Sequence, residues 1–317
     1  MNAFMNRLLI LLTGAIVLVD AIWAAAGHFR IEVWPYELLG LLMLPLIGGA
    51  VFYARARRDF ALSSLLGCTA FVLMFSAATG LLNYLLITIA GPRIDDVLLA
   101  VDKSIGVSWP SIMTFAARHP GVTHMLLLIY LSVIPQNVLL FVVLAWRQKC
   151  GGIYGFSLAI AIGALITLAA WTLFPSFGAF SVYDLPPDVA GKLGLALTGD
   201  YGHDLVRMLK EGPGTISPRD LRGLTGFPSF HTVQALTLAW YARSLPYLRW
   251  PAVILNLLVI VSAPIHGGHD VVDLFGGAAV AVISIAAADR IVAFAARQQT
   301  EITSVILPIQ PQSTRAA

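Results

Sequence analysis

The chain alternates between long apolar runs and short polar segments, and most runs have the length that crosses a bilayer. A membrane-spanning helix needs about 20 predominantly apolar residues, and only helices or closed barrels can cross lipid. The strand alternation of a barrel is absent from this sequence. The pattern therefore predicts an all-α integral membrane protein with about eight transmembrane helices. These spans are residues 8–27, 33–54, 61–90, 121–146, 152–174, 229–244, 251–267 and 271–294.

The composition agrees with a membrane protein and excludes several other classes. Hydrophobic residues make up 58% of the chain and charged residues 12%, whereas soluble domains are near 45–50% and 25%. A formal charge of +3, without a basic stripe, gives no reason to expect nucleic acid as a partner. The two cysteines, Cys68 and Cys150, lie far apart and outside any zinc-type spacing. We therefore predict no disulfide, metal site or cofactor.

The distribution of basic residues predicts the orientation in the membrane. With the N-terminus inside, eleven basic residues lie at the inner ends of the spans and only four in the short outer loops, and short cytoplasmic loops are the ones enriched in Lys and Arg. Both termini are then cytoplasmic, and an Ala/Leu-rich composition points to a bacterial inner membrane. The first run, between Arg7 and Ala24–Ala26, resembles a signal peptide. Because it continues almost to Phe29, a retained helix is favoured.

The polar segments divide the chain into regions. Residues 1–90 form an N-terminal group of spans, and residues 91–295 hold the other spans. Within the second region, residues 92–120 are expected to lie in the outer interface as short helices. Residues 175–226 form a connection of a length that is uncommon unless functional or disordered, and its leucines favour an ordered cap over the outer mouth. Residues 296–317 are expected to be a flexible cytoplasmic tail.

Two polar blocks, residues 226–232 and 266–273, flank an apolar hairpin. Each arm of the hairpin has roughly 16 residues, or about 24 Å of helix, so the chain returns to the depth at which it began. His231 and His269 should therefore meet a little inside the outer membrane surface. Ionisable residues at that depth are functional-site candidates by default.

The residue types in these blocks suit phosphoryl transfer best. Asp273 follows His269 by four residues, so on a helix the carboxylate could fix the tautomer of the imidazole. Ser229 marks a helix start whose free N–H groups attract anions, although it could equally be an ordinary N-cap. The alternatives are a polar pair joining two helices, with His231 at the surface, and a serine acyl transferase. No nucleophile elbow supports the latter.

The motifs carry a resemblance to a known family. Residues 228–231 (PSFH) and the spacing His269-x-x-x-Asp273 resemble the second and third signature motifs of the type 2 phosphatidic acid phosphatase superfamily. Residues 226–232 and 267–277 resemble, more narrowly, the branch with the inositol phosphorylceramide synthases. Residues 102–110 and 135–136 are similar to weaker patterns of that branch. The resemblance covers about residues 90–295.

This resemblance implies a fold, a mechanism and a substrate class. The last three to five spans would form a phosphatase-type helical bundle, making residues 91–295 a catalytic membrane domain with an outer cap. His269 would be the nucleophile that forms a phosphohistidine, Asp273 would orient it, and His231 would act as acid and then as base. No metal is implied. The substrate would be a phosphoester of a membrane lipid, a phospholipid or sphingolipid type, attacked at the extracytoplasmic face.

The sequence leaves open which molecule accepts the phosphoryl group from the phosphohistidine. The synthase-like motifs favour transfer to an alcohol slightly over transfer to water. The alternatives are a plain lipid phosphate phosphatase, acting on phosphatidate or a polyprenyl diphosphate, and a non-catalytic lipid-binding scaffold of the same fold. A transporter is disfavoured, since paired broken helices are absent from the pattern.

Two departures from the family pattern concern the binding of phosphate. The arginine expected six residues before the motif histidine is Ala263 here, and the first, basic motif is absent as such. Besides Ser229, the best local source of positive charge is the end of the cap. There Arg207, Lys210 and Arg222 are predicted to bind the substrate phosphate, against the alternative of a solvated loop face.

Overall fold

The computed structural model of the chain describes residues 2–185, 189, 193, 200–218 and 223–306. Within them, helices follow the apolar runs of the sequence. The helices are α1 Asn2–Ala26, α2 Trp34–Phe52, α3 Phe60–Leu86, α4 Asp95–Ser104, α5 Trp109–Arg118, α6 Pro120–Leu131, α7 Val133–Trp146, α8 Cys150–Leu173, α9 Asp200–Glu211, α10 Phe230–Ala242, α11 Arg249–His266 and α12 Val271–Ile306. A π-helical turn, Tyr53–Arg57, extends α2, and 3-10 turns occur at Ile87–Ile89 and Ala179–Ser181.

Each of the eight predicted spans has a helical counterpart. By length and hydropathy, α1, α2, α3, α8, α11 and α12 are candidate membrane spans, and α6 with α7 forms a further candidate bent by 44°. The remaining helix, α10, has only 13 residues, fewer than the ~20 that a full crossing needs. The prediction of an all-α integral membrane protein is confirmed, with six candidate spans, or seven with the bent pair, in the part of the chain that the structure describes.

Local sequence explains where several of these helices begin or bend. The Asp59 carboxylate accepts hydrogen bonds from the backbone N–H groups of Ala61 and Leu62 at 3.1 and 3.0 Å, which is the N-cap arrangement. The break between α6 and α7 precedes Pro135. The proline ring would clash with the carbonyl four residues earlier, at Leu131, where α6 ends.

One large apolar core joins the N-terminal helices to the rest of the bundle. Buried side chains of α1, α3, α7, α8, α10, α11 and α12 belong to this single cluster. In contrast, α2 buries only Met43, and Leu41, Leu42 and Leu44 on this helix are each more than half exposed. An apolar exposed face of this kind suits contact with lipid. The division of the chain at residue 90 stays a prediction, because α1 and α3 share the core of the helices that follow.

A short β pairing links the turn between α1 and α2 to the segment between α9 and α10, which is called the cap segment below. The strands β1 Arg30–Ile31 and β2 Thr215–Ile216 pair in parallel, with Arg30 opposite Thr215. The N–H of Glu32 extends the pairing by donating to the carbonyl of Ile216 at 2.9 Å. The cap segment is therefore attached to the N-terminal helices as well as to the helices on either side of it.

Candidate active site

The three predicted catalytic side chains lie at one end of the bundle. His231 is the second residue of α10, His269 lies in the turn between α11 and α12, and Asp273 is in the first turn of α12. Gly268 in this turn has a positive φ of 65°, and a Cβ there would overlap the ring of Phe180. The sequence can form this close turn because glycine adopts such a conformation without a steric penalty.

The two imidazoles are in direct contact. Nε2 of His269 lies 3.5 Å from Nδ1 of His231, and the ring centroids are 5.7 Å apart at an angle of 68°. His231 also stacks on Tyr130, with centroids 4.5 Å apart. The apolar hairpin therefore brings both histidines to one level. A spacing of 3.5 Å leaves no room for a phosphate between the two nitrogens, so a bound phosphate would have to separate the rings.

The backbone carbonyl of Gly226, together with Asp273, orients His269. Nδ1 of His269 lies 2.9 Å from the carbonyl oxygen of Gly226 and 3.3 Å from Oδ2 of Asp273. Because a carbonyl oxygen can only accept, Nδ1 carries the proton and donates it. Nε2 is then the unprotonated nitrogen and faces His231. Sequence reasoning identified the carboxylate but missed the nearer carbonyl, since a backbone acceptor leaves no signal in the sequence.

Burial keeps the His269 imidazole neutral. Its side chain is 3% exposed, and this burial lowers its pKa to about 4, although the hydrogen bond with the Gly226 carbonyl acts in the opposite direction. Desolvation disfavours the charged form of a histidine. At neutral pH the Nε2 lone pair is therefore available as a nucleophile.

Ser229 occupies the N-cap of α10. Its Oγ accepts a hydrogen bond from the N–H of Thr232 at 3.4 Å, and the side chain is fully buried. The N–H of Ser229 donates to the carbonyl of Asp273 at 3.0 Å, which ties the start of α10 to the start of α12. Gly277 permits this approach, because a Cβ there would overlap the Ser229 carbonyl. This geometry agrees with the alternative interpretation of Ser229 as an ordinary N-cap. A role of Ser229 in phosphate binding stays a prediction.

The N-terminus of α12 is capped from another helix. Asp102, in α4, accepts hydrogen bonds from the N–H groups of Val271 and Val272 at 2.7 and 2.9 Å. Trp109, in α5, donates its indole N–H to the carbonyl of Pro264 at 2.8 Å. These contacts give a physical role to the weaker pattern at residues 102–110. Trp109 and Asp102 hold the two ends of the turn that contains His269.

A second buried carboxylate, Asp95, organises the loop beside this turn. Its Oδ1 accepts from the N–H groups of Phe177 and Gly178 at 2.9 and 3.0 Å. Its Oδ2 accepts from Nε of Arg93 at 2.7 Å. Arg93 also donates to Oγ of Ser181 at 2.6 Å. Sequence analysis missed both residues, because an acidic residue in the first turn of a helix is common and their partners in the loop lie more than 80 positions away.

The loop that Asp95 holds is in turn joined to both histidine motifs. The N–H of Ala179 donates to the carbonyl of Gly268 at 2.8 Å, and the N–H of Gly226 donates to the carbonyl of Ser176 at 2.7 Å. Arg93 is thus a half-buried cation one layer behind the candidate site.

The basic residues predicted to bind phosphate have different environments. Arg207 and Lys210 are exposed on α9, and Arg207 donates to the carboxylate of Asp204 at 2.8 Å. Arg222 lies outside the described residues. Binding of phosphate by these three residues stays a prediction.

His266, the last residue of α11, and Asp270, in the turn that follows, also have buried side chains. Nε2 of His266 lies 3.0 Å from the carbonyl oxygen of Thr123. Asp270 is 1% exposed, and among the described residues neither of its carboxylate oxygens has a hydrogen-bond partner. Burial first, and then Asp273, Asp102 and Asp95, raise its pKa to about 8. Although Asp270 directly precedes α12, the carboxylate that caps this helix is that of Asp102.

The fold and the site together define a polytopic membrane protein with a buried, oriented histidine pair at one end of its helical bundle. Residues 96–287 match the PAP2 superfamily, and the chain belongs to that superfamily. Comparison with curated proteins and with solved structures gives no match. Membership supports a membrane function of the lipid phosphatase or phosphotransferase kind, with a lipid phosphoester as substrate. The narrower synthase-like branch is not confirmed by this match.

Proposed function

We propose that this protein transfers the phosphoryl-containing group of a membrane lipid phosphoester through a phosphohistidine on His269. The observation that carries the proposal is the orientation of His269. Its Nδ1–H is held by the Gly226 carbonyl at 2.9 Å, and its Nε2 faces His231 at 3.5 Å. A buried neutral imidazole with one fixed tautomer and a second imidazole beside its free nitrogen suits nucleophilic and acid–base catalysis on phosphorus.

In the first step, Nε2 of His269 attacks phosphorus as the bond from phosphorus to the leaving oxygen breaks. The leaving oxygen takes a proton from His231, whose protonated form the phosphate anion stabilises. In the second step, His231 removes a proton from the hydroxyl of the acceptor as that oxygen attacks phosphorus. The N–P bond breaks and returns a neutral His269. Those N–H groups at the start of α10 that the Ser229 cap and the Asp273 carbonyl do not engage would stabilise the phosphate oxygens.

The acceptor and the sidedness complete the proposal. Transfer to an alcohol is slightly favoured over transfer to water, on the synthase-like motifs alone. The site faces the extracytoplasmic side of a bacterial inner membrane, with both termini in the cytoplasm, on the distribution of basic residues. No metal is required by this mechanism.

Purified protein can test the reaction on a mixed panel of lipid phosphoesters, with phosphate release and headgroup exchange as readouts. His269→Ala should abolish both, whereas the exposed His203→Ala should leave both unchanged because its side chain is 73% exposed on α9. Identical traces from wild type and His269→Ala would contradict the enzyme function and favour a lipid-binding scaffold. When wild type is incubated with a substrate that carries radioactive phosphorus, the protein should become labelled. The label should be acid-labile and base-stable, as expected for a phosphohistidine.

The acceptor can be determined in the same assay by adding candidate alcohols. A new phospholipid that forms in place of free phosphate would indicate a phosphotransferase. Release of free phosphate at an unchanged rate would indicate a lipid phosphatase.

A further inference from the structure

A small open pocket lies at the end of the bundle opposite the histidine pair. It has a volume of about 330 Å³ and forms where the turn before α8 meets the turn after α10. Two cationic side chains line it, Lys149 from the first turn and Arg243 from the second. Arg243 follows His231 by 12 positions, which corresponds to about 18 Å of helix at 1.5 Å per residue. The pocket is therefore separate from the candidate active site.

The guanidinium of Arg243 is held in a fixed position in this pocket. Its central carbon lies 3.2 Å from the centroid of the Trp240 ring, and Nη1 donates to the Trp240 carbonyl at 3.2 Å. The Trp240 ring is held in turn, because its indole N–H donates to the Asp289 carboxylate at 3.1 Å. Tyr241 donates to the same carboxylate at 2.8 Å, and Asp289 does not line the pocket. A guanidinium that is already held in place loses little conformational entropy when it binds an anion.

The positive charge of the pocket is not balanced by ion pairs. In the part of the chain that the structure describes, the ion pairs include neither Lys149 nor Arg243. No side chain caps the start of α8, so the positive end of the helix dipole adds to the two charges. Gly151 and Gly152 also line the pocket, and their lack of side chains leaves room beside the cations.

Basic residues are common at one end of membrane spans, so their presence alone would not define a site. Here, however, two of them come from turns 94 positions apart and line one pocket. Its volume is at the lower end of the range for small-molecule sites. The pocket therefore has the charge and the size to hold an oxyanion such as a phosphate group.

Exposed aromatic side chains indicate that the pocket lies at the level of lipid headgroups. Trp146 ends α7, Tyr247 lies in the turn after α10, and Trp250 is in the first turn of α11. All three are more than half exposed. Trp and Tyr are enriched where a membrane protein crosses the interface between lipid and water. A phosphate in the pocket would thus lie at the depth of the lipid phosphates of that leaflet.

We infer that this pocket binds the phosphate of an anionic phospholipid in the leaflet opposite the candidate active site. Lys149 and Arg243 pair with the phosphate oxygens through charge-assisted hydrogen bonds. Basic pockets between membrane helices are suited to anionic headgroups. This lipid is a bound partner, since the histidine pair lies at the other end of the bundle.

Thermal unfolding in a neutral detergent with increasing dioctanoylphosphatidylglycerol tests the inference. The lipid should raise the Tm of wild type, and dioctanoylphosphatidylcholine, which has the same chains but no net charge, should raise it less. Each cation near an anionic lipid contributes about 5-fold in affinity. Lys149→Gln/Arg243→Gln should therefore raise the lipid concentration at the half-maximal Tm rise by roughly 25-fold. No turnover enters this measurement, so its result is independent of the proposed function.

Arg249→Gln/Arg290→Gln is the matched control, because it removes the same charge from exposed positions at the same end but outside the pocket. At about 0.15 M salt, screening should keep its effect on the half-maximal concentration below about 3-fold. Arg243→Lys keeps the charge but loses the stack on Trp240, and it should weaken binding less than the double variant does.

Three outcomes would overturn the inference. The first is a half-maximal concentration that Lys149→Gln/Arg243→Gln leaves unchanged, and the second is an equal change in the control variant. The third is a Tm rise of the same size with inorganic phosphate in place of the lipid, which would assign the pocket to a soluble anion. A rise of the same size with dioctanoylphosphatidylcholine would likewise contradict recognition of the anionic headgroup.

Discussion

At the scale of single residues, the site depends on which atoms hold His269. Asp273 was predictable because a histidine and an aspartate four positions apart meet on a helix face. The Gly226 carbonyl was not, although at 2.9 Å it is closer to Nδ1 than the carboxylate at 3.3 Å. The tautomer therefore has two acceptors to fix it, one from the backbone and one from a side chain.

Asp273→Asn should accordingly reduce kcat by roughly 10²-fold, the usual scale for an outer partner of a reactive group. The Gly226 carbonyl would still hold the Nδ1 proton, so the variant would lose mainly the second acceptor at Nδ1. Steady-state kinetics on a short-chain lipid phosphate would measure this. A loss of about 10⁴-fold, as expected when the wrong tautomer forms, would show that the carboxylate alone sets the tautomer.

Asp270 should make the stability of the protein depend on pH. Because its pKa is raised from 3.8 to about 8, the folded state keeps a proton that the unfolded state releases above pH 3.8. Stability attributable to this residue therefore falls as pH rises from about 4 to 8. Asp270→Asn removes this ionisation. The Tm of the variant should therefore equal that of wild type near pH 4 and exceed it most above pH 8.

Thermal unfolding in detergent between pH 4 and 9 would measure this Tm difference. Asp184→Asn is the control, since the Asp184 side chain is 88% exposed and its variant should follow wild type throughout. A Tm difference for Asp270→Asn that does not vary with pH would contradict the expectation.

At the scale of elements, sequence patterns identified the helices well and their mutual contacts poorly. Apolar periodicity located each span, and Pro135 accounts for the bend in the fourth. The sequence already predicted only roughly 16 residues for α10, or about 24 Å, and the structure has 13 residues there, ending at Ala242 just before Arg243 and Ser244. The cap on α12 was not predicted, since Asp102 is 169 positions from Val271. Contacts of that range leave no local trace in a single sequence.

Asp102→Ala should lower both stability and kcat. Loss of an N-cap costs about 1 kcal/mol, and here it also frees the turn that positions His269. We expect a fall in Tm and a reduction of about 10-fold in kcat, with a smaller change in KM. Asp96→Ala on the same helix is the control, because Asp96 is exposed. A variant with lowered Tm but full kcat at a temperature where it is folded would assign Asp102 to stability alone.

At the scale of the whole molecule, both histidine motifs, the Asp95 loop and the described part of residues 175–226 lie at one end of the bundle, as expected for spans of alternating direction. Hydropathy was enough to predict this, because each hairpin returns the chain to its starting side. Which side of the membrane that end faces rests on the basic residues alone.

Cysteine labelling would determine the sidedness. In a Cys150→Ser background the remaining Cys68 is fully buried and should not react. Lys103→Cys, at the site end, should react with a membrane-impermeant maleimide in intact cells. Arg57→Cys, at the opposite end, should react only after the membrane is permeabilised. Both positions are exposed. The reverse pattern would place the histidine pair in the cytoplasm.

The β pairing between residues 30–31 and 215–216 has a consequence for dissecting this protein. A fragment that starts at α3 would retain every proposed catalytic side chain. It would lack strand β1, with which β2 pairs. In such a fragment, amide protons near Ile216 should exchange faster with solvent while the histidine pair stays in place. The first outcome would show that α1 and α2 hold residues 215–216 in position.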